Sequence, residues 1–356
     1  MNNKITSVPT NVITGFLGVG KTSAIKQLIA QKPKHERWAI LVNEFGEIGV
    51  DGQLFSQDKN NNENIFIKEV TGGCMCCAST LHMQVALNQL LKEARPNRLL
   101  IEPTGLGHPK EVLELLQNEH YNEVLSLGNT LTLVDPRHIL ISKYTDHPIF
   151  NQQLEVADVV IGNKIDLGND EANMALINYL ENTVESSLDT DQQKTRTVYF
   201  TSHGKIPMSW LEANNKVEAG THGCCHGQSS HNHSHKHDHE HHHHDNDNQT
   251  PLIDVQIPDC GYISATNHSD GFESIGWRFS AEKVFDYKKL TDLLSQLDFV
   301  RIKGVCITTK GAISFNHSRD SLEEQATHIP AESRLEIIHQ TQADNWHAQL
   351  LACLVD

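Results

Sequence analysis

The sequence has 356 residues, which is enough for two domains of ordinary size, and its hydrophobic content of 38% is sufficient for packed cores. Its formal net charge of -16 and the lack of a long basic stripe argue against a nucleic-acid partner. It has neither an apolar signal core near the N-terminus nor an apolar run long enough to span a bilayer, so we expect a cytoplasmic protein with no membrane partner.

Strand-like apolar runs alternate with helical segments from residue 12 to about residue 200. The predicted strands cover residues 12–14, 38–43, 65–70, 98–102, 130–135, 156–163 and 197–200. The predicted helices cover residues 22–29, 80–94, 109–118 and 171–186. Continuous apolar runs such as Val159-Val160-Ile161 are typical of strands that are covered on both faces. The alternation predicts an α/β domain over residues 1–215, in which a mostly parallel sheet carries helices on both faces.

The segment GFLGVGKT at residues 15–22 lies between the first strand and the first helix and matches the phosphate-binding pattern G-x4-G-K-[ST]. Glycines let the backbone curl so that its N–H groups point at phosphate, Lys21 adds a positive charge, and the Thr22 hydroxyl can bind Mg²⁺. The N-terminus of the following helix adds positive potential. This P-loop NTPase pattern predicts that the phosphate-binding residues are Gly15, Gly18, Val19, Gly20, Lys21, Thr22 and Ser23. The alternative is a glycine-rich turn that binds nothing.

The sequence N-K-x-D at residues 163–166 follows a predicted strand and indicates which base is bound. The carboxylate of Asp166 can accept hydrogen bonds from the N1–H and the 2-amino group of guanine, a donor pair that adenine lacks. We therefore expect GTP as the nucleotide, bound by Asn163, Lys164 and Asp166. A solvated turn is the alternative. The loop at residues 202–204 follows the next strand and is suited to close over the base.

Acidic residues and glycines follow two further strands. Glu102 ends the strand at 98–102, where a carboxylate orders Mg²⁺ through water, and the N–H of Gly105 can bind a γ-phosphate. The segment 42–51 is suited to sense the nucleotide, and Asp51 is a candidate to bind Mg²⁺ or position water. Simple solvation of Glu102 at the strand end is the alternative. The predicted catalytic residues are Lys21, Thr22, Glu102 and Asp51.

Three thiols lie within four positions at Cys74, Cys76 and Cys77, directly after a predicted strand. Eight cysteines in a chain of this size do not suggest a secreted disulfide scaffold, and clustered thiolates favour Zn²⁺ or Cu(I). We expect a zinc site here. A redox pair remains the alternative, although its signature is C-x-x-C rather than C-x-C-C. The candidates for a fourth ligand are Glu44, Glu47 and His108.

Residues 216–250 are predicted to form a flexible linker rich in histidine. Every second residue from His231 to His243 is a histidine, and neutral imidazole is a common ligand of zinc and nickel. Flexible spacing favours weak and exchangeable sites over one fixed geometry, with a plain solvated linker as the alternative. The predicted accessory ligands are His231, His233, His235, His237 and His239.

A second and smaller α+β domain is predicted over residues 251–356. Its predicted strands cover residues 276–279, 305–308 and 334–339, and its predicted helix covers residues 286–297. Cys260, Cys306 and Cys353 are scattered, so we expect structural roles for them. The segment 301–304 precedes a strand and is expected to contact the first domain.

These motifs together resemble those of the CobW-family GTPases, which belong with the HypB and UreG metallochaperones. The segments N-E-F-G-E at 43–47, G-G-C-M-C-C at 72–77 and E-P-T-G-L-G-H-P at 102–109 are especially similar to the YeiR-type zinc-binding GTPases. The resemblance covers nearly the whole chain and implies GTP hydrolysis coupled to the binding and transfer of zinc. It matches Cys76 and Glu47 to metal positions of the family. Val42 stands where some members carry a glutamate ligand.

The leading hypothesis is a GTP-driven metallochaperone that uses GTP, Mg²⁺ and Zn²⁺ and passes zinc to a client metalloprotein. Intrinsic turnover should be slow because no arginine finger is evident, and zinc or a partner could accelerate it. One alternative is a zinc buffer or sensor in which GTP is a switch and no client exists. Another is a cobalt chaperone for corrin synthesis, by family analogy alone. Whether the protein forms a homo-oligomer is left open.

Overall fold

The protein is described here from a computed structural model. The structure describes residues 4–43, 64–70, 78–184, 196–212, 255–269, 271–318, 321–340 and 345–355. These residues form two β-sheets, one parallel and one antiparallel, each with its own hydrophobic core. Within these ranges, no helix is both long and apolar enough to cross a membrane.

The first sheet is parallel in every strand pairing and has the order β3-β2-β4-β1-β6-β7-β8, with β5 beside the first half of β1. Its strands are β1 Val8–Gly15, β2 Trp38–Asn43, β3 Ile65–Val70, β4 Arg98–Glu102, β5 Leu125–Leu127, β6 Leu131–Val134, β7 Val159–Gly162 and β8 Thr197–Phe200. The predicted mostly parallel sheet is confirmed. Because β1 lies between β4 and β6, the strand order reverses there, and ligands bind at the carboxyl ends of strands beside such a reversal.

Helices cover both faces of this sheet, as predicted. They are α1 Lys21–Ala30, α2 Ala78–Ala94, α3 Pro109–Leu116, α4 Ser142–Thr145, α5 Pro148–Glu155 and α6 Asp170–Tyr179. Successive residues of β4 explain the two layers, because side chains alternate between the faces of a strand. Leu99 and Ile101 pack into the cluster formed with α2 and α3, whereas Leu100 packs into the cluster formed with α1, α5 and α6.

Several predicted boundaries differ from the observed ones. The strands predicted over 12–14, 276–279 and 305–308 begin earlier, at Val8, Phe272 and Arg301, so segment 301–304 is part of a strand and does not precede one. Two other differences have a clear local cause. The strand predicted over 156–163 begins only at Val159, because α5 runs to Glu155 and the Asp158 carboxylate accepts a hydrogen bond from the Thr130 N–H at 2.7 Å. The helix predicted over 171–186 ends at Tyr179 and continues as a π-helical turn over Leu180–Val184. Both differences concern the ends of elements, where a side chain or a changed hydrogen-bond register overrides the apolar pattern.

The second sheet is antiparallel and has the order β13-β12-β11-β14-β10-β9. Its strands are β9 Tyr262–Ser269, β10 Phe272–Ser280, β11 Arg301–Thr308, β12 Gly311–Ser318, β13 Ser321–Thr327 and β14 Glu332–His339, and its helices are α7 Tyr287–Gln296 and α8 Trp346–Leu351. Both helices contribute to a core on one face with Trp277, Phe279 and Phe315. The predicted α+β domain is confirmed.

The second sheet also packs against the first domain. Phe272 and Ile338 belong to the cluster that contains Phe16, and the ring centroids of Phe16 and Phe272 lie 6.0 Å apart. The predicted boundaries of the two domains and of the 216–250 linker fall at or within residues 213–254, which lie outside the described residues. Those boundaries stay predictions.

Candidate functional site

The loop between β1 and α1 has a backbone that only glycine accommodates at its two ends. Gly15 has a φ of 140° and Gly20 a φ of 99°. A Cβ atom on Gly15 would lie 2.3 Å from the carbonyl oxygen of Leu133 on β6, and one on Gly20 would lie 2.5 Å from Nδ2 of Asn163. The glycines therefore let the loop curl tightly against the neighbouring strand ends, which leaves its N–H groups available to an anion.

Lys21 is 4% exposed and lies folded over this loop. Its Nζ donates hydrogen bonds to the carbonyl oxygens of Gly15 at 2.8 Å and Phe16 at 3.1 Å. A Cβ atom on Gly105 would lie 3.1 Å from the same Nζ, so the segment after β4 approaches the ammonium closely. The loop thus holds a fixed positive charge beside the N-terminus of α1, an arrangement suited to phosphate.

The hydroxyl of Thr22 donates a hydrogen bond to Oε1 of Glu102 at 3.1 Å, and both side chains are buried. Thr22 lies in the first turn of α1 and Glu102 ends β4, so the parallel pairing of β1 with β4 brings them together. A hydroxyl and a carboxylate are hard oxygen donors of the kind that Mg²⁺ prefers. These two residues therefore fit a magnesium ion bound together with nucleotide phosphates.

Asn163 ties the phosphate loop to a second loop. Its Nδ2 donates to the carbonyl oxygen of Val19 at 2.8 Å, and its Oδ1 accepts from the N–H of Gly204 at 3.1 Å. The next residue, Lys164, has a φ of 63°, which turns the chain so that Asp166 follows at the rim. The Asp166 side chain is 37% exposed, and its Oδ2 lies 3.8 Å from Nε2 of His203. Its carboxylate is accessible to a ligand.

These parts surround one cavity with a volume of about 200 Å³. From the first domain it is lined by Gly18, Gly20, Thr22, Ser23, Asn163, Lys164, Asp166, Leu167 and His203. Gly15, Val19, Lys21, Glu102 and Gly105 form the adjoining layer through the contacts described above. The structure thus brings the predicted phosphate, magnesium and base residues into one place.

Four residues of the second domain also line this cavity: Arg301, Asn316, Ser318 and Glu323. No motif marks them as nucleotide-binding residues. The only signal in the sequence was the expected contact between segment 301–304 and the first domain. Their position depends on how the two sheets pack together.

Most of the predicted zinc ligands and one catalytic candidate lie outside the described residues: Cys74, Cys76, Cys77, Glu44, Glu47, Asp51, His231, His233, His235, His237 and His239. His108, the third candidate for the fourth ligand, is described and is the N-cap residue of α3. Among the residues that the structure does describe, no group of three or more histidine, cysteine or acidic side chains is placed to hold a metal ion. Burial raises the pKa of the Cys306 thiol far above its ordinary value, and burial also raises the pKa of Cys353. Both belong to the second core, whereas Cys260 is exposed.

Residues 9–190 match the sequence family described as CobW/HypB/UreG, nucleotide-binding domain. The chain belongs to the CobW/HypB/UreG family. Members of the CobW/HypB/UreG family are P-loop GTPases, so the predicted enzyme class is confirmed.

Similarity to one relative, YeiR, extends beyond the nucleotide-binding domain. The zinc chaperone YeiR of Escherichia coli K12 is 35% identical over 347 residues, covering 97% of each chain. The zinc chaperone CobW of a Sinorhizobium species is 29% identical over 185 residues, covering 45% of this chain and 51% of its own. Among solved structures, the Zn(II)-bound YjiA GTPase of E. coli aligns over 98% of this chain and 99% of its own, with 17% identity and a TM-score of 0.43.

Proposed function

We propose that this protein is a zinc metallochaperone that hydrolyses GTP, holds Zn²⁺ at Cys74, Cys76 and Cys77, and passes it to a client metalloprotein. The names of the YeiR and CobW relatives, both zinc chaperones, support zinc as the cargo. The cytoplasmic location and the state of oligomerisation stay predictions.

One observation carries the link between nucleotide and zinc. In the paired strands β3, β2 and β4, Glu69, Val42 and Glu102 occupy one row of the register. Neighbouring strands lie about 4.8 Å apart, so β3 ends roughly 10 Å from the Thr22–Glu102 pair. Cys74 follows the end of β3 by four residues, which span up to about 13 Å when extended. A segment of this length is long enough to bring the Cys74 thiol to the phosphate end of the nucleotide site, which supports the proposed link.

For hydrolysis, we assign Lys21 to the β- and γ-phosphates and the N–H of Gly105 to the γ-phosphate. Phosphoryl transfer needs mainly positioning and charge neutralisation, and the buried loop supplies both. Mg²⁺ bound by the Thr22 hydroxyl and ordered by Glu102 would neutralise charge on the phosphate oxygens. Asp51 remains a candidate to position the attacking water.

For base recognition, we assign Asp166 to the N1–H and 2-amino groups of guanine. Its exposed carboxylate at the rim of the cavity supports this role. Asn163 holds the phosphate loop and the loop at 203–204 together, so both sides of the cavity are pre-organised. Adenine would leave the carboxylate without its two donors, which disfavours ATP.

For zinc, we assign the three thiolates as the tight site, with Glu47 or Glu44 completing the shell. The histidine tract, including His231, His233, His235, His237 and His239, serves as a weak accessory site. GTP binding orders the loops beside the phosphates, and hydrolysis changes the coordination so that zinc can leave.

A zinc titration with the GTPase rate measured in parallel tests this proposal. The wild type should bind one Zn²⁺ tightly and change its GTPase rate as the site fills. Cys76→Ala should lose tight binding while keeping its affinity for GTP, because that thiol is assigned to the metal alone. Cys260→Ala, which removes an exposed thiol of the second domain, is the matched control and should behave as wild type.

Unchanged tight zinc binding by Cys76→Ala would contradict the assigned site. Tight binding without any effect on the GTPase rate would favour a zinc buffer over a chaperone driven by GTP.

A further inference from the structure

The nucleotide cavity has a second wall that the GTPase motifs do not explain. Arg301 begins β11, Ser318 ends β12, and the two are paired across the sheet. Asn316 of β12 is paired with Glu323 of β13 in the same way. One polar corner of the antiparallel sheet therefore faces the phosphate loop and the base-recognition loop.

Packing between the domains fixes this corner against the phosphate loop. A Cβ atom on Gly18 would lie 3.6 Å from Cβ of Ser318, which is ordinary van der Waals contact. Two residues earlier, the Phe16 ring packs edge-on against Phe272 of β10. The variable positions of the loop thus touch the second domain, whereas its motif residues Lys21 and Thr22 face Gly105 and Glu102.

The second-domain wall of the cavity carries one group that is suited to bind an anion, the side chain of Arg301. Arg301 supplies a guanidinium, whose planar set of donors matches phosphate oxygens. Within the described part of the chain, its side chain makes no hydrogen bond or ion pair. Glu323 on the same wall carries the opposite charge, and its Oε2 accepts a hydrogen bond from Nδ2 of Asn316 at 3.4 Å.

We propose that Arg301 is a nucleotide-contacting residue, supplied by the second domain, that binds the phosphates of GTP held in the first domain. The inference rests on the proposed function, because it needs GTP in this cavity. A contact of this kind couples two equilibria: bound GTP stabilises the docking of the second domain, and docking raises the affinity for GTP by the same factor. Loss of the nucleotide then loosens the sheet that the phosphate loop touches.

The test measures GTP affinity in the full-length chain by displacement of a fluorescent GTP analogue. Arg301→Ala should weaken binding about tenfold, the usual effect of losing one charge-assisted hydrogen-bonding partner. Arg301→Lys keeps the positive charge but lacks the planar set of guanidinium donors. Its affinity for GTP should therefore lie between those of the wild type and Arg301→Ala. The control is Lys288→Ala, which removes an equal charge from α7 at a side chain that is 86% exposed and paired only with Asp292 among the described residues.

Hydrogen–deuterium exchange of the same proteins measures the coupling itself. Bound GTP should slow amide exchange in β11 and β12 of the wild type and of Lys288→Ala. Arg301→Ala at saturating GTP should lose most of that protection, and Lys21→Ala, which should not bind GTP, should show none.

The outcomes separate the two proposals. Wild-type GTP binding that depends on Lys21, with equal affinity and equal protection in Arg301→Ala, would overturn the role of Arg301 and leave the GTPase assignment intact. Failure of the wild type to bind GTP would overturn the proposed nucleotide chemistry, and the role of Arg301 with it.

Discussion

At the scale of single residues, two side chains of the N-K-x-D segment lie in different environments. Asn163 is 2% exposed, and both ends of its amide are used to join Val19 to Gly204. It therefore organises the cavity, because both ends of this buried amide hold protein loops in place. Asp166 lies at the rim with an accessible carboxylate, which is why the proposed recognition of guanine is assigned to it.

Asp166→Asn should weaken the preference for GTP over ITP about tenfold. Guanine offers the carboxylate two donors, hypoxanthine lacks the 2-amino group, and a hydrogen bond to a charged acceptor is worth about 1.5–3 kcal/mol. Dissociation constants for both nucleotides, measured by competition, give the ratio. Asp170→Asn, in the first turn of α6 and outside the cavity lining, should keep the wild-type ratio. An unchanged ratio in Asp166→Asn would contradict the guanine assignment.

At the scale of elements, the turn from β1 into α1 has to fit beside β6. β1 pairs with β6 through residues 13–15, so Gly15 lies directly against the backbone of Leu133. The strand can continue to the edge of the sheet and still curl into the loop only because no side chain occupies that position.

Gly15→Ala should destabilise the first domain by about 3 kcal/mol or more and abolish tight GTP binding. Its Cβ meets a carbonyl oxygen at 2.3 Å, and its φ of 140° is unfavourable for any other residue. Urea unfolding and GTP titration measure the two effects. Gly311→Ala is the control that distinguishes backbone strain from a steric clash. Gly311 also has a positive φ, of 98°, but a Cβ atom there would meet nothing within 4 Å. Gly311→Ala should lower the free energy of unfolding by about 1–2 kcal/mol. An equal loss for Gly15→Ala and Gly311→Ala would contradict the steric explanation.

At the scale of the whole molecule, two cores meet around one cavity, and the second domain has its own charged centre. Glu332 accepts two hydrogen bonds from Arg278 at 2.9 and 2.8 Å and one from Arg334 at 2.7 Å. Arg278 also donates to the carbonyl oxygen of Val255 at 2.7 Å, which fixes the start of the second domain to its sheet. Burial acts to raise the pKa of Glu332, but the hydrogen bonds and charges of the two arginines outweigh it and lower the pKa.

This network should make the second domain sensitive to acid. The pKa of Glu332 is lower in the folded state than its ordinary value of 4.5. The ionised carboxylate therefore makes its full contribution to the free energy of unfolding above pH 4.5, and this contribution is lost as the pH falls through the pKa of the folded state. Glu332→Gln should lower the free energy of unfolding by about 3 kcal/mol at pH 7, since it removes the carboxylate charge that both guanidinium groups contact at a largely buried site. Urea unfolding of the wild type and Glu332→Gln measures the difference between their free energies of unfolding. This difference should be smaller below pH 4.5 than at pH 7. Glu282→Gln, at an exposed site, should cost little at either pH, and an undiminished difference for Glu332→Gln at low pH would contradict the linkage.

Much of this protein was predictable from local pattern. The parallel sheet followed from apolar runs alternating with helices, and the phosphate loop followed from glycine and lysine spacing, because those geometries depend on residues close together in the chain. The strands β5, β9, β12 and β13 and the helices α4, α5 and α8 were not predicted. β13 is an edge strand whose side chains are mostly exposed and polar, so its pairing with β12 leaves little apolar signal in its own residues.

The sequence by itself determined the fold class, the family and the residues of the P-loop and N-K-x-D motifs, since short-range spacing specifies each of them. Only the tertiary structure decided that Asn163 joins two loops and that Arg301 lies in the same cavity as Thr22, which is 279 positions earlier in the chain. The physical reason is that both contacts join segments that are far apart in the chain. The Asn163 contacts depend on the side-by-side placement of β1, β6, β7 and β8 in the first sheet, and the position of Arg301 depends on the packing of the second domain against the first through Phe16 and Phe272. Such contacts leave no period or motif in either segment.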